Sequence, residues 1–189
     1  QSDYEIEILK GIKSRDGFSL KENIKRTITI GDKEPKIVFS NNGVFLPDLA
    51  KKQVAFKSIN VKKARIIVHK IYANNIAHFL YDNDLMKNQA NDFYIYRIDR
   101  IGGVIFEKEI TINAPKNEWI QSAVDLSKLK DLSGIFVISL HFDKDGVNYN
   151  FPSSVESWRV DNYFYNNGSI FKQLIFSNIA LLAQKFGDE

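Results

Sequence analysis

Through most of the chain, apolar and polar residues alternate in short runs punctuated by turn formers, the two-residue period that sends successive side chains to opposite faces of a strand. Tyr4, Ile6 and Ile8 alternate with Glu5 and Glu7, and Ile24, Ile28 and Ile30 with Lys25, Thr27 and Thr29. Both runs predict half-buried strands. Asp16-Gly17 between them predicts a turn, since glycine accepts positive φ and an aspartate side chain bonds the turning backbone. A junction follows from Gly31 to Pro35, where proline removes an amide donor after a polar run. Beyond it the pattern predicts strands at 36–40, around Val54, and at 64–72, 93–98, 104–112, 119–126, 134–142 and 170–183, the last interrupted near Ser177. An Asn41-Asn42-Gly43 turn and a Leu46-Pro47 break separate the first two.

One helix is predicted from 74 to about 85, where Ile76, Phe79 and Leu80 recur at the spacing of one helical face. Residues 125–130 add at most a single turn. From 143 to 168 the sequence turns rich in Asn, Ser and aromatics and reads as a long irregular connection with one short strand. The clearest core strand is 134–142: Phe136, Ile138, Leu140 and Phe142 share one face, Ser139 and His141 the other. Burying each such apolar side chain is worth roughly 1.5–3 kcal/mol, so a one-residue slip of this strand is untenable. The fold class is mainly β, an antiparallel β-sandwich with one short helix, because the strand spacing suits a sandwich better than βαβ repeats.

Composition narrows the function classes. The 14 Phe, 8 Tyr and 2 Trp among 189 residues supply a core and exclude a disordered chain. The absence of cysteine excludes disulfides, thiolate metal sites and a cysteine nucleophile, and leaves the compartment open. No run approaches the roughly 18–20 apolar residues of a membrane helix. A net charge of +3 is too small for a dedicated nucleic-acid binder, so no nucleic-acid partner is expected.

Candidate chemistry is sparse. His69, His78 and His141 are too far apart for a local metal motif and read as surface or packing residues. Asp143-Lys-Asp145-Gly146 starts like a calcium loop but lacks its later ligands, and reads as a hairpin turn. Asp82-Asn-Asp84 reads as a solvated helix end. Gly102-Gly103 precedes a strand rather than a helix, so it reads as a hairpin corner and not a phosphate cradle. No nucleophile elbow or carboxylate pair is recognisable, and the chain is expected to be no enzyme and to carry no cofactor or metal. Between Asp48 and Asp82, Lys51, Lys52, Lys57, Lys62, Lys63, Arg65 and Lys70 occur without an intervening carboxylate. They read as solvated charges blunting an exposed sheet edge, with polyanion binding as the sharper alternative. Tyr149, Phe151, Trp158, Tyr163, Phe164 and Tyr165 form the candidate interface, a protein or sugar contact; the competing reading has them fold back to anchor their own connection.

Landmarks along nearly the whole chain share an order with one family: Gly11-Ile-Lys-Ser-Arg-Asp-Gly17-Phe-Ser-Leu20, Pro35-Lys-Ile-Val-Phe39, Gly43-Val-Phe-Leu-Pro47, Ser58-Ile-Asn60-Val61, Asn74-Asn-Ile-Ala-His-Phe-Leu80, Asp99-Arg-Ile-Gly102, Asn117-Glu-Trp119, Val124-Asp-Leu-Ser-Lys-Leu129 and Ser177-Asn-Ile-Ala-Leu-Leu-Ala183. In that order they resemble the N-terminal part of bacterial alpha-2-macroglobulin-like proteins, particularly the Bacteroides type. The resemblance implies closing strands of a preceding immunoglobulin-like domain at 1–33, a macroglobulin-type β-sandwich at 34–176, and at 177–189 a strand leading toward a following domain. Family members resemble broad-range protease traps, many with a reactive thiol ester. No thiol-ester residue is carried over, because the chain has no Cys-x-Glu-Gln segment. The implied role is a noncatalytic structural domain of a periplasmic or cell-envelope protease inhibitor. Its partners would be neighbouring domains of the same polypeptide, and proteases through the full-length protein. Any membrane attachment, as in a lipoprotein, would use an anchor outside this chain. The rival expectation is a free-standing envelope module binding glycan, peptide or anionic surface material.

Overall fold

The computed structural model describes residues 2–40, 45–47, 52–82, 98–129 and 133–177. The chain divides into two compact units, Gln1–Lys33 and Glu34–Glu189. In the first, strands β1 (Ser2–Ile8) and β2 (Ile24–Ile30) form an antiparallel pair with Tyr4 opposite Ile28, Ile6 opposite Arg26 and Ile8 opposite Ile24. The expected Asp16-Gly17 turn is present: Gly17 adopts φ +85° and its N–H donates to the Ser14 carbonyl at 3.0 Å. The strands alternate as expected, but they are not half buried. Tyr4, Ile6, Ile8, Ile24, Ile28 and Ile30 are 39–56% exposed. Two strands make one layer, and one layer cannot bury its own apolar face.

The second unit is built from two sheets. A three-stranded antiparallel sheet has the order β3 (Lys36–Phe39), β5 (Gln53–Ile59), β8 (Ile120–Asp125). A five-stranded sheet has the order β4 (Phe45–Pro47), β10 (Ser169–Ser177), β9 (Gly134–His141), β6 (Lys63–Ile71), β7 (Gly102–Thr111). Ile37, Val54, Phe56 and Val124 from the smaller sheet meet Ile66, Val68, Phe136, Ile138, Leu140, Leu174 and Phe176 from the larger in one buried core. This is the expected mainly β sandwich. The apolar face of β9 is buried as its alternation predicts, and so are Ile135 and Val137 on the opposite face. There they join Ile71, Phe79, Ile98 and Ile101 in a second cluster. β9 lies between β10 and β6, and helical segments cover part of its outer side, so alternation understated its burial.

Several expectations are corrected. Leu46-Pro47 is not a break but part of β4, which pairs in parallel with β10; at the sheet margin and the strand's last residue, proline's missing donor is tolerated. The predicted helix is α1 (Ile76–Asp82), entered through a 3-10 turn at Ala73–Asn75. It is not the only one. Ile98, expected at the end of a strand, opens the one-turn helix α2 (Ile98–Ile101), where the three-residue spacing of Ile98 and Ile101 buries both. The supposed irregular connection contains α3 (Ser157–Asn167). Gly102 and Gly103 form no hairpin corner: they open β7, with Gly102 opposite Ile71. A Cβ on Gly102 would lie 2.6 Å from the Lys70 carbonyl oxygen, so this glycine is required by strand approach. The Asn41-Asn42-Gly43 turn, positions 93–97 of the predicted strand, Asp84, Lys51 and everything past Ser177 lie outside the described residues.

Candidate interaction surface

The six candidate interface residues separate into two groups. Asp143 starts the segment by accepting hydrogen bonds from the Asp145 and Gly146 N–H groups, both at 3.0 Å, which closes a 3-10 turn at Lys144–Gly146. The chain then passes Tyr149 and Phe151 before entering α3. Val160, Tyr163 and Phe164, at three- and four-residue spacing, form the helix face turned toward the sandwich. Phe151 meets Tyr149 at 4.8 Å, Tyr163 at 5.5 Å and Phe164 at 5.8 Å between ring centroids, all edge-on. Phe164 also meets Phe142 at 6.0 Å. The Tyr163 hydroxyl donates to the Pro35 carbonyl, and burial, then Glu34 and Tyr149, pushes its pKa up to about 12. Tyr163 therefore remains a neutral donor at physiological pH. Tyr149, Phe151, Tyr163 and Phe164 thus anchor the segment on its own sandwich.

Trp158 and Tyr165 instead point outward, 59% and 75% exposed. They are seven residues apart and so share one face of α3. The Trp158 indole donates to Glu156 at 2.7 Å, and the Arg159 guanidinium lies 5.2 Å from its ring centroid.

The histidines take packing positions. His141 lies between Ser169, at 2.8 Å from Nδ1, and Ser139, at 2.8 Å from Nε2. The Ser139 hydroxyl donates onward to the Ile67 carbonyl at 3.5 Å, so it accepts from His141 Nε2–H. Burial, then Arg65 and His69, lowers the His141 pKa below 6.5, which keeps the ring neutral. His69, 7% exposed, meets Asp99 of α2 at 3.2 Å, and His78 is exposed on α1. Among the described residues, no three His, Asp or Glu side chains converge as metal ligands. An open hollow of about 570 Å³ beside His141 is lined by groups of both signs, including Lys63, Arg65, Glu109 and Asp145. The hollow has no single electrostatic preference.

The basic stretch does not blunt an edge. Lys57 lies on β5 and Lys63, Arg65 and Lys70 on β6, strands with a neighbour on each side. Lys63 and Arg65 are answered across the ladder by Glu109 at 3.7 Å and Glu107 at 3.4 Å on β7. Linear sequence hid this neutralisation, since the carboxylates arrive more than forty residues later.

Sequence reasoning also missed a clasp between two of its own landmarks. Asn60, after β5, donates through Nδ2 to the Asn117 side-chain oxygen at 2.9 Å, and the Asn117 N–H donates to the Asn60 side-chain oxygen at 2.6 Å.

No family model matches the chain, and no curated protein matches it. Solved structures do. A crystal structure of native alpha-2-macroglobulin from Escherichia coli spanning domains MG0-NIE-MG1 matches 97% of this chain and 52% of its own, with TM-score 0.56 and 14% identity. The chain therefore spans about half the length of that structure. The fold is that of bacterial alpha-2-macroglobulin domain regions. This macroglobulin-type sandwich is also similar to Salmonella alpha-2-macroglobulin mutant Y1175G, over 93% of this chain and 9% of that one, with TM-score 0.59 and 14% identity. An Escherichia coli structure spanning domains NIE-MG1 matches 81% of this chain and 65% of its own, with TM-score 0.52 and 12% identity. No helix among the described residues of this chain is long and apolar enough to cross a membrane.

Proposed function

We propose that the chain is a noncatalytic structural part of a bacterial alpha-2-macroglobulin-like, protease-trapping inhibitor of the periplasm or cell envelope, of the Bacteroides type. Residues 1–33 supply closing strands of a preceding immunoglobulin-like domain, 34–176 form the macroglobulin-type sandwich, and 177–189 lead toward the next domain. The supporting observation is the extent of the likeness: it covers 97% of the chain in a structure about twice as long. The packing roles of His69 and His141 agree with a mechanical part rather than a catalytic one. Trapping would be read by incubating the full-length protein with a protease and following cleavage of a large protein substrate against a small peptide. The trap reading expects protection of the large substrate alone, lost when 34–176 is deleted. The 1–189 chain by itself should neither hydrolyse peptides nor retain protease covalently. Equal cleavage of both substrates in the presence of the full-length protein refutes the proposal.

The exposure of Trp158 and Tyr165 favours a second reading, an envelope module binding glycan or peptide. Replacing both with Ala should then abolish retention on envelope material without lowering stability.

A further inference from the structure

β7 and β8 are margins of the two sheets of the sandwich, each with a neighbour on one side only. Between them lies a cleft of about 390 Å³, within the range of roughly 300–1,000 Å³ typical of small-molecule sites. Its walls are apolar. Phe106 and Ile110 line it from β7, Val124 from β8 and Leu129 from the turn after β8. In that turn the Leu129 N–H donates to the Leu126 carbonyl at 3.0 Å and the Ser127 N–H donates to the Asp125 carboxylate at 2.8 Å. The turn brings Lys128 to the cleft, which Lys108 of β7 also lines. Alternation sets Phe106, Lys108 and Ile110 on the core face of β7, opposite Val68, Ile66 and Ala64. Lys108 therefore has an isoleucine, not a counter-charge, across its ladder. The carboxylates on either side of it, Glu107 and Glu109, lie on the other face and answer Arg65 and Lys63. Asp125, the carboxylate lining the cleft, is engaged by its own turn.

We propose that this cleft binds a single-chain anionic amphiphile, a long-chain carboxylate whose hydrocarbon tail lies between the sheet margins and whose head group meets Lys108 and Lys128. The apolar walls and the two cations supply the two halves of that chemistry. An apolar cavity of about 150 Å³ holds a six-carbon ring, so the cleft has room for a chain of about twelve carbons. An added peptide strand is the poorer occupant, because an inward-pointing lysine on a margin strand opposes strand addition. Protection of the margin accounts for Lys108 alone. It does not account for a second lysine carried by a separate element to the same apolar cleft. The site does not depend on protease trapping.

The test is titration of the 1–189 chain with octanoate, decanoate and dodecanoate below their micelle concentrations, followed by calorimetry and by backbone amide shifts. Affinity should rise about two- to fourfold for each added methylene, as expected for moving a CH2 group out of water. The shifts should concentrate at Phe106, Lys108, Ile110, Val124 and Leu129. Lys108→Gln and Lys128→Gln should each weaken dodecanoate at least about fivefold. Both lysines are exposed, so these variants keep the fold, and Lys57→Gln on the smaller sheet should leave the affinity unchanged. Dodecyltrimethylammonium, with the same tail and the opposite charge, should bind at least about tenfold more weakly than dodecanoate. No binding, affinity independent of chain length, equal binding of the cationic amphiphile, or indifference to both lysine variants overturns the proposal. Shifts centred on the exposed apolar residues of β1 and β2 overturn it as well, because they mark adsorption to open apolar surface rather than a site. Trapping by the full-length protein is measured apart, so its loss or presence leaves this outcome unaffected.

Discussion

Asn60 and Asn117 are the only non-glycine residues with positive φ among the described ones, at +54° and +66°, and each bonds the other. Asparagine tolerates this backbone better than most L residues. The clasp ties the β5–β6 turn to the loop before β8, next to Asn148 N–H, which donates to the Asn60 carbonyl at 2.8 Å. Two substitutions separate backbone from side chain. Asn60→Gly keeps the conformation and loses the bonds, and should cost about 1–2 kcal/mol; Asn60→Ala loses both and should cost about 2–4 kcal/mol in urea unfolding. Gly102→Ala should also destabilise, by about 1–3 kcal/mol, because its Cβ would press on the Lys70 carbonyl. His141 gives the fold a pH dependence of defined sign. Its folded pKa is lowered from 6.5, so the unfolded chain binds its proton more readily. The contribution is complete above about 6.5 and is lost as pH falls through the folded value. Unfolding midpoints measured from pH 8 to 5 should therefore fall toward acid, and His141→Gln should flatten that slope.

Among the elements, β9 and α3 mark the limits of what the sequence made legible. β9 was legible because four large apolar residues keep one phase, and the wrong register would expose them all together. α3 was not. Its inward face rests on Val160, Tyr163 and Phe164 alone, its other positions include Asn162, Asn166 and Asn167, which are modest helix formers, and the Glu156 side chain makes no capping bond. Tertiary contact supplies what local propensity lacks: the aromatic cluster holds the helix against the sandwich. The same contrast divides the candidate surface, since sequence located all six aromatics but could not tell which side of an unrecognised helix each would face. Phe164→Ala should cost about 2–4 kcal/mol, below the full penalty for a completely buried ring because Phe164 is only partly buried. Trp158→Ala should stay within about 0.5 kcal/mol of the parent. Thermal denaturation of the two variants compares them directly, and a larger loss for Trp158 would reverse the assignment of inward and outward groups.

For the whole molecule, the junction at 31–35 was legible from its glycine, proline and polar run, and the two compact units meet in sequence at Lys33 and Glu34. What alternation could not reveal is whether each apolar face has something to lie against. The period reports that a face is apolar, whereas burial requires a second layer. The second unit has that layer, with Phe56, Ile66, Val68, Phe136, Ile138 and Leu140 essentially sealed from solvent. The first unit leaves its six apolar strand residues exposed. Local stability follows from this difference, because backbone hydrogen bonds open easily where few apolar contacts cover them. In the 1–189 chain, inter-strand amides of β1 and β2 should exchange within seconds to minutes near neutral pH. Those of β9, bonded on both sides and covered on both faces, should exchange only through global unfolding. Low urea should then accelerate the β9 amides with the full unfolding slope and leave the hairpin amides nearly unaffected, since opening the hairpin exposes little additional surface. Equal urea slopes in the two units would mean that they unfold together, and that the hairpin draws stability from a layer its own residues do not provide.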